Sequence, residues 1–367
     1  MTANATFRRL WTRARPTLPR SAVGLAGLAL IVSLLLRGLG FDVGAALGAL
    51  WSGSVASSYA LTSGTLVRAT PLILTGLSVA LAFRAGVFNI GSEGQFLVGA
   101  AAATSVALLR PLSDSHIALV MALASGFIAG GLWAAIAAVL RTRFHVLEVL
   151  STILLNFVAL YLVSYLVRGP LQEPLHIYPQ SSSIPAVARL PRLASTSRLH
   201  AGFIVAVVTA AAAWWFLRFT AAGFRIRAVG ANPDAASLAG QIDVNRATTQ
   251  AFLISGALAG LAGAIEVAGV TYALYENISP GYGYTGIAVA LLARLDPLGV
   301  VASGLLFGAL EAGATAMQRD AGVPSVTVAV VEALIILGTL IIWPTTIDIT
   351  RAAGAEPMAP SGGPKSA

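Results

Sequence analysis

Cysteine is absent from the 367 residues, and lysine occurs once, at Lys365. The first absence excludes disulfides, thiolate nucleophiles and cysteine-ligated metals. The second excludes a phosphate-binding loop of the Walker kind, which needs a lysine directly after its glycines. Lys365 stands instead in a tail rich in Pro, Gly and Ser. Histidine is sparse, at His116, His145, His176 and His200, with no two inside one helical turn, so no pair on one helix can ligate a metal. A Gly-x-Ser-x-Gly nucleophile elbow is missing too. Charge is the largest deficit: 10% of residues, where ordinary globular chains carry roughly a quarter.

Apolar residues fill that space, at 57% of the chain. The net charge of +8 does not suggest nucleic acid, because the arginines are dispersed as singles and pairs at the ends of apolar runs, the arrangement that sets membrane orientation. The sequence predicts an all-α, polytopic helical bundle in lipid, with about ten membrane segments (8–10). A spanning helix needs roughly 20 mostly apolar residues. The candidates are 21–37, 60–82, 87–109, 117–140, 147–167, 201–217, 250–272, 281–293, 297–316 and 324–343. The eighth is short and flanked by glycine, the mark of a broken or half-inserted helix. Residues 1–20 read as a basic cytoplasmic tail, 21–343 as one membrane domain and 344–367 as a flexible cytoplasmic tail. The first apolar run lacks a small-residue cleavage site and is followed by Arg37, which favours a retained helix over a signal peptide.

Orientation follows from Lys and Arg. With the N-terminus inside, cytoplasmic segments hold fifteen of them, and the outside holds seven: Arg37, Arg110, Arg168, Arg189, Arg192, Arg198 and Arg319. The asymmetry places both termini in the cytoplasm of a cell (inner) membrane. It also places 168–200 outside, where Pro170, Pro174, Pro179, Pro185 and Pro191 predict an extended, rigid segment. Small-residue runs such as Gly256–Gly263 (GALAGLAG) predict close helix contacts. Helices two to five and seven to ten each contain a glycine-broken segment, which suggests two related halves.

Polar residues inside apolar runs mark the candidate pathway. Asn89, Ser92, Glu93 and Gln95 cluster at the start of the third segment. A carboxylate in hydrocarbon costs at least a few kcal/mol, so Glu93 either lines a pathway, packs between helices or starts a helix at the solvated cytoplasmic mouth. Glu148, Thr152 and Asn156 stand four apart and share one helix face, turned from lipid. Hydrogen bonds between helices and contact with a solute both explain such a stripe. Arg68 lies in the second segment, and Glu266, Glu311 and Glu332 are weaker, isolated candidates.

In the stretch 218–247, Asn232 can cap a short helix with Pro233 at its first position, Asp234 in its first turn and Gly240 at its end. A helix of Asp234, Ala235, Ala236 and similarly small residues does little alone. It fits a knob that enters a groove on another protein.

These residues carry a resemblance. Asp234-Ala235-Ala236 with Gly240 resembles the Glu-Ala-Ala loop of ABC importer permeases, with Asp234 in place of the glutamate. RAGVFNIGSEGQFLVGA (84–100), EVLSTILLN (148–156) and ALLARLDPLG (290–299) resemble permeases of the ribose, nucleoside and branched-chain amino acid importers, covering about 68–343. The Asn-Ile-Gly-Ser-Glu-Gly-Gln form leans toward the nucleoside or simple-sugar branch. The resemblance implies no catalytic residues and no cofactor bound by this chain, with ATP and Mg held by two cytoplasmic ATP-binding subunits. It also implies a second permease, identical or homologous, and an external solute-binding protein. A secondary transporter using Glu93, Glu148 or Glu266 as an ion relay is the rival expectation.

Overall fold

The computed structural model describes residues 18–109, 117–240 and 242–342. Most of the expected N-terminal tail, Arg110, His116 and the tail over 344–367 lie outside the described residues, as does the side chain of Glu332. The helices are α1 Leu18–Gly38, α2 Val43–Ser54, α3 Leu66–Arg84, α4 Ser92–Ala107, α5 Ala118–Phe144, α6 Glu148–Arg168 and α7 Gly202–Phe219. After these come α8 Ala221–Ala231, α9 Pro233–Gly240, α10 Val244–Glu266, α11 Tyr282–Leu292, α12 Pro297–Asp320 and α13 Ser325–Ile342. Among the described residues β-structure is confined to isolated bridges, so the fold is all-helical.

Among the described residues six helical stretches have the length and hydropathy to cross a membrane: Ala60–Arg84, Ala118–Phe144, Glu148–Arg168, Gly202–Phe219, Val244–Thr271 and Pro297–Asp320. Four expected segments do not reach that standard. Ala26–Gly38, Tyr282–Leu292 and Ser325–Gly338 are apolar but shorter, and α4 has 16 residues, about 24 Å of helix against a hydrocarbon core of about 30 Å. The sequence pattern also passed over α2 and α8, which are too short to register as spans.

The side chains of α6 show why this chain belongs in lipid. Ser151, Thr152, Asn156, Ala159, Val163 and Val167 are buried, while Leu150, Leu154, Phe157, Val158, Tyr161 and Tyr165 are exposed. Polar and small inside with large apolar outside inverts a water-soluble helix, and a hydrocarbon solvent demands that inversion.

The spans Ala60–Arg84 and Val244–Thr271 form the centre, with 83% of their apolar windows buried against 28% for the spans of α5, α6 and α7. Around α10 the packing is backbone against backbone. A Cβ at Gly260 would lie 2.2 Å from the Gly126 carbonyl oxygen, and one at Gly263 would lie 2.0 Å from that of Phe96. Only glycine permits this approach, so GALAGLAG is the seam joining α10 to α4 and α5. A satellite cluster of Val32, Leu36, Met317 and Val331 ties α1 and α13 to α12.

The two ends of the bundle differ. At one end α8 rests on the turn after α3, where a Cβ at Gly230 would meet the Arg84 carbonyl oxygen at 2.0 Å. Helix α9 follows. At the other end the proline-rich segment lies over the end of α10, with Ser181 N donating to Leu274 O at 2.7 Å, Ile184 N to Tyr272 O at 2.8 Å and Leu190 N to Ala268 O at 2.8 Å. Arg168 at the end of α6 grips Glu276 bidentately at 2.6 and 2.8 Å, and Ser164 donates to the same carboxylate. The arginine and this hydroxyl hold Glu276 down to about 2.

Candidate functional site

The short helices α4 and α11 share a design. Each follows an irregular stretch containing glycine, and their first turns abut in the interior. A Cβ at Gly283 would lie 2.2 Å from Glu93 N, so the chains touch through backbone. The Glu93 carboxylate accepts from Gly283 N at 2.8 Å and is hydrogen-bonded by Ser279. Two helix N-termini thus converge on one buried carboxylate, the charge that their dipoles favour. Thr75 of α3 fixes the junction by donating to Tyr282 O at 3.0 Å.

The other polar residues singled out from sequence lie on the α9 side of this junction. Asn89 donates to Gln95 Oε1 at 3.0 Å and to Ser255 Oγ at 2.8 Å, and its own oxygen accepts from Gly91 N at 2.9 Å and Gln95 Nε2 at 3.0 Å. Ser92 and Ser255 both meet Ser78 Oγ at 3.0 Å. Asn156 accepts from Gly94 N at 2.8 Å and donates to Ile90 O at 2.9 Å and Tyr284 OH at 3.2 Å. Thr152 donates back to Glu148 O at 2.6 Å, while the Glu148 carboxylate pairs with Arg141 at 2.8 Å. All except Glu148 are buried. They form a hydrogen-bonded layer uniting α3, α4, α6 and α10, and none lines the main cavity.

That cavity, of about 580 Å³, lies on the opposite side of the junction. Its size suits a small solute. Arg68, Glu266 and Glu311 line it, with Tyr275, Asn277, Tyr282, Thr285, Thr315 and Gln318. Glu266 ends α10, about 33 Å along the helix from Val244 beside α9. Two of the three charged lining residues stand near π-helical turns, Ala60–Thr65 before Arg68 and Val267–Thr271 after Glu266. Such turns disturb regular helix pairing and recur at functional sites. Arg68 Nη2 donates to Thr315 Oγ1 at 3.2 Å, one turn from Glu311, and Tyr282 lies within electrostatic reach of Glu266, Glu311 and Arg68. Sequence reasoning treated these charges singly. Their shared signal was an ionisable group inside an apolar run, and its partners lay far along the chain.

Helix α9 spans Pro233–Gly240, as the capping pattern predicts. Asn232 Oδ1 accepts from Ala235 N at 3.0 Å, and Asn232, Pro233, Asp234 and Ala235 are exposed. Ala236 is the buried contact, packed with Val229 and Ala247, while Leu238 is 86% exposed.

The family described as "Branched-chain amino acid transport system / permease component" matches residues 61–340. The chain belongs to this permease family. It is 41% identical over 319 residues to the guanosine ABC transporter permease NupP of Bacillus subtilis, covering 86% of this chain and 89% of that one. It is 39% identical over 329 residues to the glucose ABC transporter permease TsgB13 of Haloferax volcanii, covering 86% and 84%. With the nucleoside ABC transporter permease NupB of Lactococcus lactis it shares 34% over 281 residues, covering 74% and 77%. No solved structure matches this permease. It is an ABC transporter permease subunit and a multi-pass membrane protein, and its relatives are permeases rather than enzymes.

Proposed function

We propose that this permease carries a nucleoside or a simple sugar into the cell through the Arg68/Glu266/Glu311 cavity. The observation that carries the reading is the placement of a solute-sized polar cavity on one side of the α4/α11 junction, with a sealed polar layer on the other. That is the shape of a pathway open to one side only. Alternating access then requires the junction at Glu93 to part while the cavity narrows, so that Asn89, Ser92, Gln95, Glu148, Thr152 and Asn156 line the second half of the route. The relatives' cargo, named as guanosine, nucleoside and glucose, supports the solute class.

The cavity faces outward, where an external binding protein delivers solute, and α9 and both termini face the cytoplasm. In this arrangement α1, α4, α11 and α13 lie in the membrane with the six longer spans, making ten segments. The energy comes from separate ATPase subunits that bind ATP and Mg. Their movement enters through α9, whose exposed Leu238 and small first turn fit a groove. A second permease completes the pathway. Bacillus subtilis has two guanosine permeases similar to this chain, NupP and NupQ, which supports a heteromeric pair.

ATP-driven uptake of radiolabelled guanosine and glucose into vesicles bearing the complete transporter tests this. Replacing exposed Leu238 with Asp leaves the buried Ala236 contact in place, and the expected result is uptake reduced at least about tenfold with normal membrane insertion. Full uptake in that variant would remove α9 from the coupling role.

A further inference from the structure

Among Glu93, Glu148, Glu266 and Glu276, Glu266 is the one to whose carboxylate no side-chain or main-chain donor is assigned. Glu93 is held by Gly283 and Ser279, Glu148 by Arg141, and Glu276 by Arg168 and Ser164. Glu266 is 5% exposed and lines the cavity, yet no N–H or O–H among the described residues donates to its carboxylate. The Thr271 hydroxyl donates to the main-chain carbonyl of Glu266, not to its carboxylate. Arg68 and Arg198 supply the nearby positive charge without bonding to it. A carboxyl group keeps acceptor capacity in either protonation state, and leaving its oxygens without donors at membrane depth carries a desolvation penalty. Because Glu266 lines the cavity, its carboxylate can accept hydrogen bonds from a solute that enters there.

The cargoes named for the relatives, guanosine, nucleosides and glucose, share no base and no charge. They share a ring bearing adjacent hydroxyls, which are hydrogen-bond donors. The cavity's charged lining, one guanidinium against two carboxylates, also disfavours a phosphorylated form of the same solutes.

We propose that Glu266, aided by Glu311, accepts hydrogen bonds from the sugar hydroxyls of the solute, so that this permease itself selects a polyhydroxylated ring. The assignment rests on the nucleoside or sugar reading above and adds a residue and a chemical group to it. A site that hydrogen-bonds a hydroxyl strongly rejects an analogue lacking it.

The test compares uptake of guanosine and 2′,3′-dideoxyguanosine in proteoliposomes, with identical ATPases and binding protein on wild-type and Glu266→Gln permease. Because all other components are constant, a change in preference belongs to this chain. The expected result is a guanosine-to-dideoxyguanosine uptake ratio about tenfold lower in Glu266→Gln, with Glu266→Asp, which keeps the acceptors, changing it less. If Glu266→Gln does not insert, Glu311→Gln is read by the same ratio. A ratio unchanged while both uptakes fall together would overturn the assignment and leave the nucleoside reading standing. Wild-type transporter that moves neither guanosine nor glucose, but does move another solute, would overturn both.

Discussion

At the residue scale, this permease uses buried polar groups in two ways. Most are joined to one another: Asn156 alone stitches α6 to Gly94, Ile90 and Tyr284, and Glu93 binds two helix starts together. His200 shows the cost of such burial. It is 0% exposed, its Nδ1 accepts from Gly202 N at 3.2 Å, and its Nε2 has no partner. Burial, with a smaller contribution from Arg198, pushes the imidazole down to about 4 from 6.5. A group with a lowered folded value takes its proton first in the unfolded chain, so its contribution to stability is full above about pH 6.5. That contribution declines as pH falls toward 4. Thermal unfolding of purified permease should show His200→Gln losing less stability than wild type between pH 7 and pH 5, by about 2 kcal/mol. Parallel pH profiles for the two proteins would contradict a neutral, buried His200.

At the element scale, shape is decided by where glycine lets backbones meet. A Cβ added to Gly260 would meet Gly126 O at 2.2 Å and Gly130 Cα at 2.8 Å, both of them α5 backbone that cannot yield like a side chain. Gly260→Leu should therefore separate α10 from α5 and abolish a monodisperse, folded protein, a cost beyond the usual 1–3 kcal/mol of overpacking. Gly48 in α2 has nothing within 4 Å of an added Cβ. Gly48→Ala should be tolerated and should raise stability by about 0.5–1 kcal/mol. Size-exclusion profiles and unfolding midpoints of the two variants check both expectations, and equal behaviour would refute the seam. The same physics explains which elements sequence discloses. Helix α9 was legible because its start is written locally, in Asn232, Pro233 and Asp234. Helices α5 and α6 were legible because apolar length suffices. Helix α2, with 12 residues, falls below any span criterion and owes its helicity to packing on α12, where a Cβ at Gly53 would lie 2.2 Å from Ala316 Cβ.

At the scale of the whole molecule, two buried central helices carry two broken ones whose starts meet, leaving an open cavity on one side and a closed polar layer on the other. The layer was half legible: the sequence placed Asn89, Ser92, Glu93, Gln95, Glu148, Thr152 and Asn156 away from lipid, without deciding between solute and neighbouring helices as their partners. The cavity was not legible. Arg68, Glu266 and Glu311 come from three helices far apart in the chain, and only the tertiary fold shows that they converge. In the proposed arrangement the cavity and α9 face opposite sides of the membrane. The natural absence of cysteine gives a clean background for locating them. Thiol labelling of intact cells by a membrane-impermeant maleimide, with Gln318→Cys in the cavity and Ser237→Cys in α9, tests the central claim most directly. The account predicts labelling of the first in intact cells and of the second only after permeabilisation; labelling of Ser237→Cys in intact cells would contradict it.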